Sequence, residues 1–376
     1  MKVAIDIRRV RDFGVGTYTR NLVNTLAGLD LKTSYTLVGT TADRDELERL
    51  PENFSLLEFD RSQRGPAHDL RLGWALRRHR IELYHSPYLT TPWGLPCRRV
   101  VTVHDTADFL DILSDGTSLP EVLRFQRTRR SLHRAARVLT VSHATRRELQ
   151  QIFSLPQDKI EVVYNALDAR LEKIPSRVES ERVLTRYSVH DPYLLYAGNV
   201  RPHKNLPRLI EAYALVKDEL RDHPRYAHLK LIIIGEDVSR HPQLRRAVIK
   251  SRTQHDVRFL GFVDPQTLNV FYAGAAAFVF PSLHEGFGLP PLEAMAQGTP
   301  VVSSSAPALL EVLGEAALFV NAEKVFDLSR GIRQVLLEEE LRRRLVKRGR
   351  QQVKRFSWEA SVRRILDIYH QAAARS

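Results

Sequence analysis

The sequence predicts an α/β protein made of two doubly wound domains. Three observations carry that prediction. Short β-branched runs alternate with longer stretches of helical apolar period, as parallel sheets covered on both faces require. The alternation breaks once, at Ala169–Pro192, where Lys173-Ile174-Pro175-Ser176 and mixed charges follow no clean period. A length of 376 residues suits two or three domains. The expected organisation is a first domain over 1–170, a linker over 171–191, a second domain over 192–356 and a terminal helix over 357–376.

In the first half, strands are expected at Val3–Ile7, Tyr35–Val38, Glu82–His85, Val100–Val103, Val138–Val141 and Glu161–Tyr164. Amphipathic stretches at Tyr18–Leu29 and Leu119–Ala136 lie between them. In the second half, strands are expected at Tyr193–Ala197, Lys230–Ile234, Val257–Leu260, Ala276–Phe280, Pro300–Ser303 and Ala317–Val320. Helical patterns there are Leu206–Lys217, Pro242–Thr253, Pro265–Ala273 and Pro291–Gln297. Ser357–Ala374 is helical in pattern and is expected to pack back on the first domain. Two such domains form a cleft between the carboxyl ends of their strands, where ligands of open α/β sheets bind.

Composition narrows the partners. Hydrophobic residues are 43% and charged residues 27%, an ordinary globular balance. The single Cys97 excludes an internal disulfide framework and zinc-finger spacing. No apolar run reaches the roughly 18 residues that span a bilayer. The opening Met1–Arg9 is too short and too charged for a signal peptide, so a cytoplasmic protein is expected. Lys+Arg minus Asp+Glu is 57 − 44 = +13. That charge suits nucleic acid, an anionic membrane surface or a phosphorylated small molecule.

Phe280–Ala296 carries the strongest motif, PSLHEGFGLPPLEAMA after Phe280. An apolar strand ends at Phe280 and a helix begins near Pro290-Pro291, where proline's fixed φ and missing N–H cost least. Gly286 and Gly288 let backbone N–H groups approach a ligand. A helix N-terminus beside such a loop attracts phosphate. Glu285 and Glu293 each offer two acceptor oxygens, which suits the vicinal hydroxyls of a ribose or a sugar. The plain reading is a strand-to-helix turn with a solvated Glu.

With Glu285 and Glu293 set in EGFGLPPLEAMAQGTPVV, the chain resembles the retaining glycosyltransferase family four. The resemblance implies the GT-B fold: two Rossmann-like domains facing across a cleft, the first binding acceptor, the second nucleotide sugar. It implies that Glu285 contacts the donor sugar and Glu293 the ribose. The amides of Gly286, Phe287, Gly288 and Leu289 then bind sugar and diphosphate. Tyr196-Ala197-Gly198-Asn199-Val200-Arg201-Pro202-His203-Lys204 resembles the family's diphosphate turn, with Asn199-Val200 replacing its usual glycine. Arg201 and Lys204 would neutralise the leaving diphosphate. His104, after the strand Val100–Val103, matches the histidine that hydrogen-bonds the donor sugar. Gly14 and Gly16 match a loop facing the donor phosphates. Gly235, Phe259 and Leu260 match segments beside the nucleotide and its base. Thr19 replaces the third glycine of a dinucleotide fingerprint, which removes the main support for a nicotinamide-dependent enzyme.

The implied reaction is retaining transfer of a sugar from a nucleoside-diphosphate sugar, UDP or GDP, to a glycan or lipid-linked acceptor. No cofactor and no metal are expected. Asp43-Arg44-Asp45 formally matches a metal-binding Asp-x-Asp, but it opens the helical stretch Asp43–Leu50, where acids cap. Cell-surface polysaccharide synthesis is the implied setting, with lipopolysaccharide and mannosyl transfer among its examples. The alternatives are an epimerase or phosphorylase of the same architecture, or a non-catalytic nucleotide-sugar-binding protein.

Residues 1–168 carry 25 − 21 = +4, and Thr117–Gln150 alone carries 8 − 2 = +6. This stretch, from Arg124 to Arg147, reads as a basic amphipathic helix whose apolar side holds Val122, Phe125, Leu132 and Ala136. It suggests reversible attachment to an anionic membrane, on the inner face of the cytoplasmic membrane. Nucleic acid is not expected, because no aromatic platform or recognisable module accompanies the charge.

Overall fold

A computed structural model describes residues 1–61, 65–110, 118–171 and 173–374. The chain divides into two compact units. Unit 1 is Met1–Asn165 with Ser357–Ser376, and unit 2 is Ala166–Phe356.

Unit 1 is organised on seven described strands. They are β1 (Lys2–Asp6), β2 (Ser34–Gly39), β3 (Phe54–Glu58), β4 (Leu83–Ser86), β5 (Arg98–Val103), β6 (Arg137–Thr140) and β7 (Ile160–Val162). They pair in parallel in the order β3-β2-β1-β4-β5-β6-β7. Unit 2 has β8 (Tyr193–Ala197), β9 (Lys230–Ile234), β10 (Val257–Gly261), β11 (Ala277–Phe280), β12 (Val301–Ser304) and β13 (Ala317–Val320). Their order is β10-β9-β8-β11-β12-β13, again all parallel. β4, β6, β8, β11 and β12 are buried along their whole length, and β8 and β11 are accordingly apolar throughout. In each sheet the order reverses once, between β1 and β4 and between β8 and β11. Ligands of open α/β sheets bind beside that reversal, at the carboxyl ends of the strands.

Every expected strand forms, within a residue or two at its ends. β3 was not anticipated. It lies at the sheet edge with only half-buried and exposed residues, so its apolar signal is weak. The helix expected from Asp43 to Leu50 is instead the single turn Thr41–Arg44. Thr40 caps it, and Asp43 returns the bond to the Thr40 backbone N–H at 3.0 Å. Asp43 thus sits inside the turn as its reciprocal cap, not at its start. The stretch expected as linker holds a ten-residue helix, Arg177–Arg186, capped by Ser176.

The basic stretch is not one helix: Leu119–Arg134 is helical, opened by Ser118 and Glu121 in a reciprocal cap, Ala136 lies beyond its end, Arg137 begins β6, and Arg146 and Arg147 lie on a second helix, His143–Phe153. Phe125 stacks on Phe153 at 5.1 Å, and Leu132 is fully buried, so these two anchor the helix. Val122, expected on the buried side, is exposed, as are Leu119 and Leu123. The final helix, Trp358–Ala374, belongs to unit 1 and buries Trp358, Val362, Ile365, Ile368 and Tyr369. No described helix is long and apolar enough to cross a membrane.

Candidate active site

In unit 2 the loops after β8 and β11 meet at the reversal of strand order. The first loop turns through Pro202–Lys204 in a single 3-10 turn, and Asn205 then takes a left-handed conformation. Asn205 is buried, and its side-chain amide donates to Ala322 O at 2.7 Å. Leu283 N donates to His203 O at 2.7 Å, which ties the two loops together. This frame brings Lys204 onto Glu285: Nζ donates to Oε1 at 2.5 Å, and each side chain is only 12% exposed. Lys204 also lies 5.7 Å from the Phe280 ring centroid. Arg201 opens the same turn with an exposed side chain. A point charge and a planar fork therefore start from one loop.

The Glu285 loop leads into the helix Leu289–Ala296, with Pro290 and Pro291 in its first turn. Gly288 has φ +97°, and a Cβ there would lie 2.5 Å from Leu309 Cδ2. Both backbone freedom and space demand glycine at this position. Phe287 is buried and meets the Phe356 ring edge-on at 5.4 Å, so its side chain is an anchor and only its backbone suits a ligand. Gly235 has a different reason to be glycine. A Cβ there would stand 2.0 Å from Gly198 O. The end of β9 is thereby pressed against the turn that leads to Arg201. Phe259 and Leu260 are partly buried on β10, the edge strand of the sheet. The register there slips between Phe259 and Gly261, so Leu260 sits at a bulge.

Glu293 lies inside the helix and is partly buried. Tyr272 Oη donates to its Oε2 at 2.7 Å. Burial, with a contribution from the Asp168 carboxylate, pushes the Glu293 carboxyl up to about 7, although the Tyr272 hydrogen bond and Arg170 oppose the rise. Asp168 is itself clamped by Arg170 in a two-pronged pair of 2.9 and 2.7 Å. Tyr272, Asp168 and Arg170 had no signal in the sequence. They act on Glu293 only through the fold, from positions 21 to 125 residues away.

Unit 1 carries the remaining candidates. His104 follows β5. Its Nε2 donates to Pro87 O at 3.1 Å, and its ring meets Tyr18 edge-on at 4.7 Å. Burial pulls its pKa down to about 4, so it is neutral near pH 7 and leaves Nδ1 as an acceptor. Behind it runs a buried polar chain. Tyr18 Oη and His85 Nε2 both bond Thr102 Oγ1, at 3.0 and 2.8 Å, and His85 Nδ1 meets Tyr369 Oη at 2.5 Å. Burial lowers His85 to about 3. Gly16, in the first turn of the helix Val15–Leu29, is buried and its N–H donates to Asp12 O at 2.8 Å, so its amide, expected to face the phosphates, does not; a Cβ there would lie 2.2 Å from Val10 O. Gly14 caps that helix at φ +68° with open space around it.

Comparison with known proteins agrees with this architecture. Residues 181–352 match the family described as Glycosyl transferases group 1, and residues 14–171 match Glycosyltransferase Family 4. O-antigen chain mannosyltransferase B of Escherichia coli is 36% identical over 311 residues, covering 80% of this chain and 77% of that protein. Sucrose-phosphate synthase from Thermosynechococcus elongatus superposes with a TM-score of 0.79 over all of both chains, at 19% identity. Anabaena Alr3699/HepE, solved with UDP-glucose, gives 0.77 over 99% of this chain and 100% of that chain, at 17% identity. Two doubly wound parallel units on these matches define a GT-B glycosyltransferase. The chain belongs to the group 1, family four glycosyltransferases.

Proposed function

We propose that the protein transfers a mannosyl residue from a nucleoside-diphosphate mannose to a hydroxyl of a glycan or lipid-linked acceptor in cell-surface polysaccharide synthesis. The observation that carries this reading is the Lys204–Glu285 pair, set beside the glycine turn and helix start at the β8/β11 reversal. The mannosyl choice follows from the relative in Escherichia coli.

Breaking the anomeric bond leaves negative charge on the diphosphate and an oxocarbenium-like sugar. Lys204 and Arg201 meet the departing phosphates, and the loop amides from Gly286 to Leu289 add donors aimed at the same charge. Glu285 orients Lys204 and offers its second oxygen to the sugar. Glu293, in its ionised form, accepts from the ribose hydroxyls. Gly235, Phe259 and Leu260 border the base. His104 accepts from a donor-sugar hydroxyl at Nδ1 as a neutral group, with the turn at Gly14 facing the phosphates. Transfer proceeds with retention by front-face attack, the leaving diphosphate accepting the acceptor's proton. It needs no metal and no cofactor.

A thermal-shift panel of UDP, GDP, ADP and TDP, followed by transfer assays with the sugar of the best base, tests the reading. Expected are stabilisation by one nucleoside diphosphate, a product with the donor's anomeric configuration, and full turnover in EDTA. Absence of stabilisation by every nucleotide would sink it.

A second proposal concerns place. Leu119, Val122 and Leu123 are exposed on the helix that carries Arg124, Arg127, Arg129 and Arg130. Apolar tips beside guanidiniums suit a peripheral contact with anionic lipid on the inner face of the membrane. Flotation with anionic but not neutral vesicles at low salt is the expected result; equal failure with both would refute the contact.

A further inference from the structure

Unit 1 has a cavity of about 320 Å³ at the carboxyl ends of β1 and β4, beside the reversal of its own strand order. That is the position where an open α/β sheet takes ligands. Its walls carry five guanidiniums, Arg8, Arg9, Arg61, Arg124 and Arg127, against two carboxylates, Asp6 and Asp69.

Both carboxylates are already engaged. Asp6 accepts two bonds from Arg8, at 2.9 and 2.7 Å, and one from Tyr84 at 2.6 Å. Burial alone would raise its pKa, but Arg8 and Tyr84 outweigh burial and hold it low. Asp69 accepts from Trp93 N at 2.8 Å. Arg127 approaches Asp69 no closer than 3.8 Å, beyond hydrogen-bond distance. Arg9 and Arg61 share one carboxylate, Asp12, at 3.3 and 2.6 Å. Arg124 pairs with the Asp108 carboxylate across 3.3 Å, where both side chains are about half exposed, and donates to the Asp108 carbonyl at 2.9 Å, which leaves its remaining N–H donors for another partner. The wall therefore holds more guanidinium donors than its carboxylates can use.

A second observation points to a missing partner. His68 is 7% exposed and lines this cavity, and its Nε2 has no hydrogen-bond partner among the described residues. A buried nitrogen left without a partner is costly, so such a position favours a ligand that supplies one. His68 also lies in the first turn of the helix Pro66–Arg78, whose cap residue Gly65 borders the same space without a side chain. The opposite wall includes Pro87, whose carbonyl receives the His104 bond.

We infer that this cavity binds a phosphate or diphosphate group carried by the acceptor, held by Arg61, Arg124 and Arg127 with His68 Nε2 as a further donor. The inference rests on the reading of unit 1 as the acceptor domain. A guanidinium cluster with an unfilled imidazole fits a multiply charged oxyanion better than a neutral glycan.

Calorimetric titration of inorganic pyrophosphate into the full chain tests it, without vesicles. Arg201→Ala with Lys204→Ala removes the diphosphate cations of unit 2. That variant is expected to keep one saturable pyrophosphate site. Adding Arg124→Gln and Arg127→Gln, both on exposed side chains, is expected to weaken that site by about tenfold or more. His68→Phe, which keeps a ring beside Phe59, is expected to weaken it by about threefold. Loss of all saturable binding in the Arg201/Lys204 variant overturns the inference, as does unchanged binding in the fourfold variant. Failure of the transferase reading shows separately, as absent stabilisation of the wild type by nucleoside diphosphates. Two further arms use farnesyl diphosphate and mannose 1-phosphate. Arg124/Arg127-dependent preference for the first assigns the anion to a lipid-linked acceptor, and for the second to a soluble sugar phosphate. Independence from these arginines in both arms overturns the inference.

Discussion

Asp6 ends β1 in unit 1 and Ala197 ends β8 in unit 2, and each strand stands where its sheet reverses order. Around Ala197 the chain is tightly constrained. Gly235 touches Gly198, Asn205 is bonded across to Ala322, and Lys204 is paired with Glu285. Around Asp6 the chain instead encloses a cavity with a surplus of guanidiniums and the buried His68 in its wall. The same topology thus supports a rigid charge clamp in one unit and an open guanidinium-lined recess in the other. Strand order sets where a site lies; the loops set what it holds.

The largest expected effect breaks the clamp. Lys204→Ala or Arg201→Ala should lower sugar transfer by about 10²-fold or more, the usual cost of losing one donor to developing charge. Circular dichroism should show both variants folded. If transfer stays near normal, the clamp is not the diphosphate site.

Next comes Glu293. Its carboxyl is raised to about 7, so protonation persists to neutral pH and the ionised acceptor appears only above it. Donor KM should therefore fall as pH rises from 6 to 8, by up to about tenfold, the span of one unit in ionised fraction. Glu293→Gln should give a flat, uniformly weak profile. The same shift has a stability sign. A carboxyl raised in the fold favours folding at low pH, and that contribution is lost as pH climbs from about 4.5 through 7. Glu293→Gln should then melt closer to its acid value at pH 8 than the wild type does.

The glycines compare the two units directly. Gly235→Ala in unit 2 and Gly16→Ala in unit 1 both force a Cβ within about 2.2 Å of a carbonyl oxygen. Each should cost about 1–3 kcal/mol in thermal or denaturant unfolding. Gly14→Ala meets nothing within 4 Å and pays only for its positive φ, about 1 kcal/mol. Equal losses at Gly14 and Gly16 would show that crowding at Val10 is not what fixes the loop.

The smallest effect lies in the buried histidines of unit 1. His85 and His104 sit at about 3 and 4, below the ordinary 6.5. An imidazole held neutral by the fold stabilises it above about 6.5, and that stability drains away as pH falls toward 4. Melting temperature should drop between pH 7 and 5, less steeply in His104→Asn. Transfer rates should show no inflection from His104 between pH 6 and 8.

How much was readable beforehand follows the same division. Both sheets were legible because their strands are short apolar runs buried on two faces. Phe54–Glu58 was not, since an edge strand with exposed Ser55 and Glu58 carries half the signal. The helix Arg177–Arg186 hid in mixed charge because it buries no residue fully. Lys204, Glu285 and Glu293 were visible as types in a motif. The environment that raises Glu293 was not, because Tyr272, Asp168 and Arg170 reach it only after folding. The arginines of the unit 1 cavity come from three separate stretches, and only Arg124 and Arg127 stood out, as members of a charged helix.

The closing helix has a consequence for how the chain is made. Tyr369 completes the bond to His85 across 284 residues, and Trp358 meets the Tyr18 ring at 5.7 Å. A ribosome that has released residues 1–165 must still translate all of unit 2 before either aromatic exists. At about 5–20 residues per second that interval is on the order of 10–40 s. Throughout it, nascent unit 1 exposes the groove the helix will fill, a binding surface for chaperones. Unit 2 has no such debt and can finish first, so the half that begins synthesis is the half that matures last.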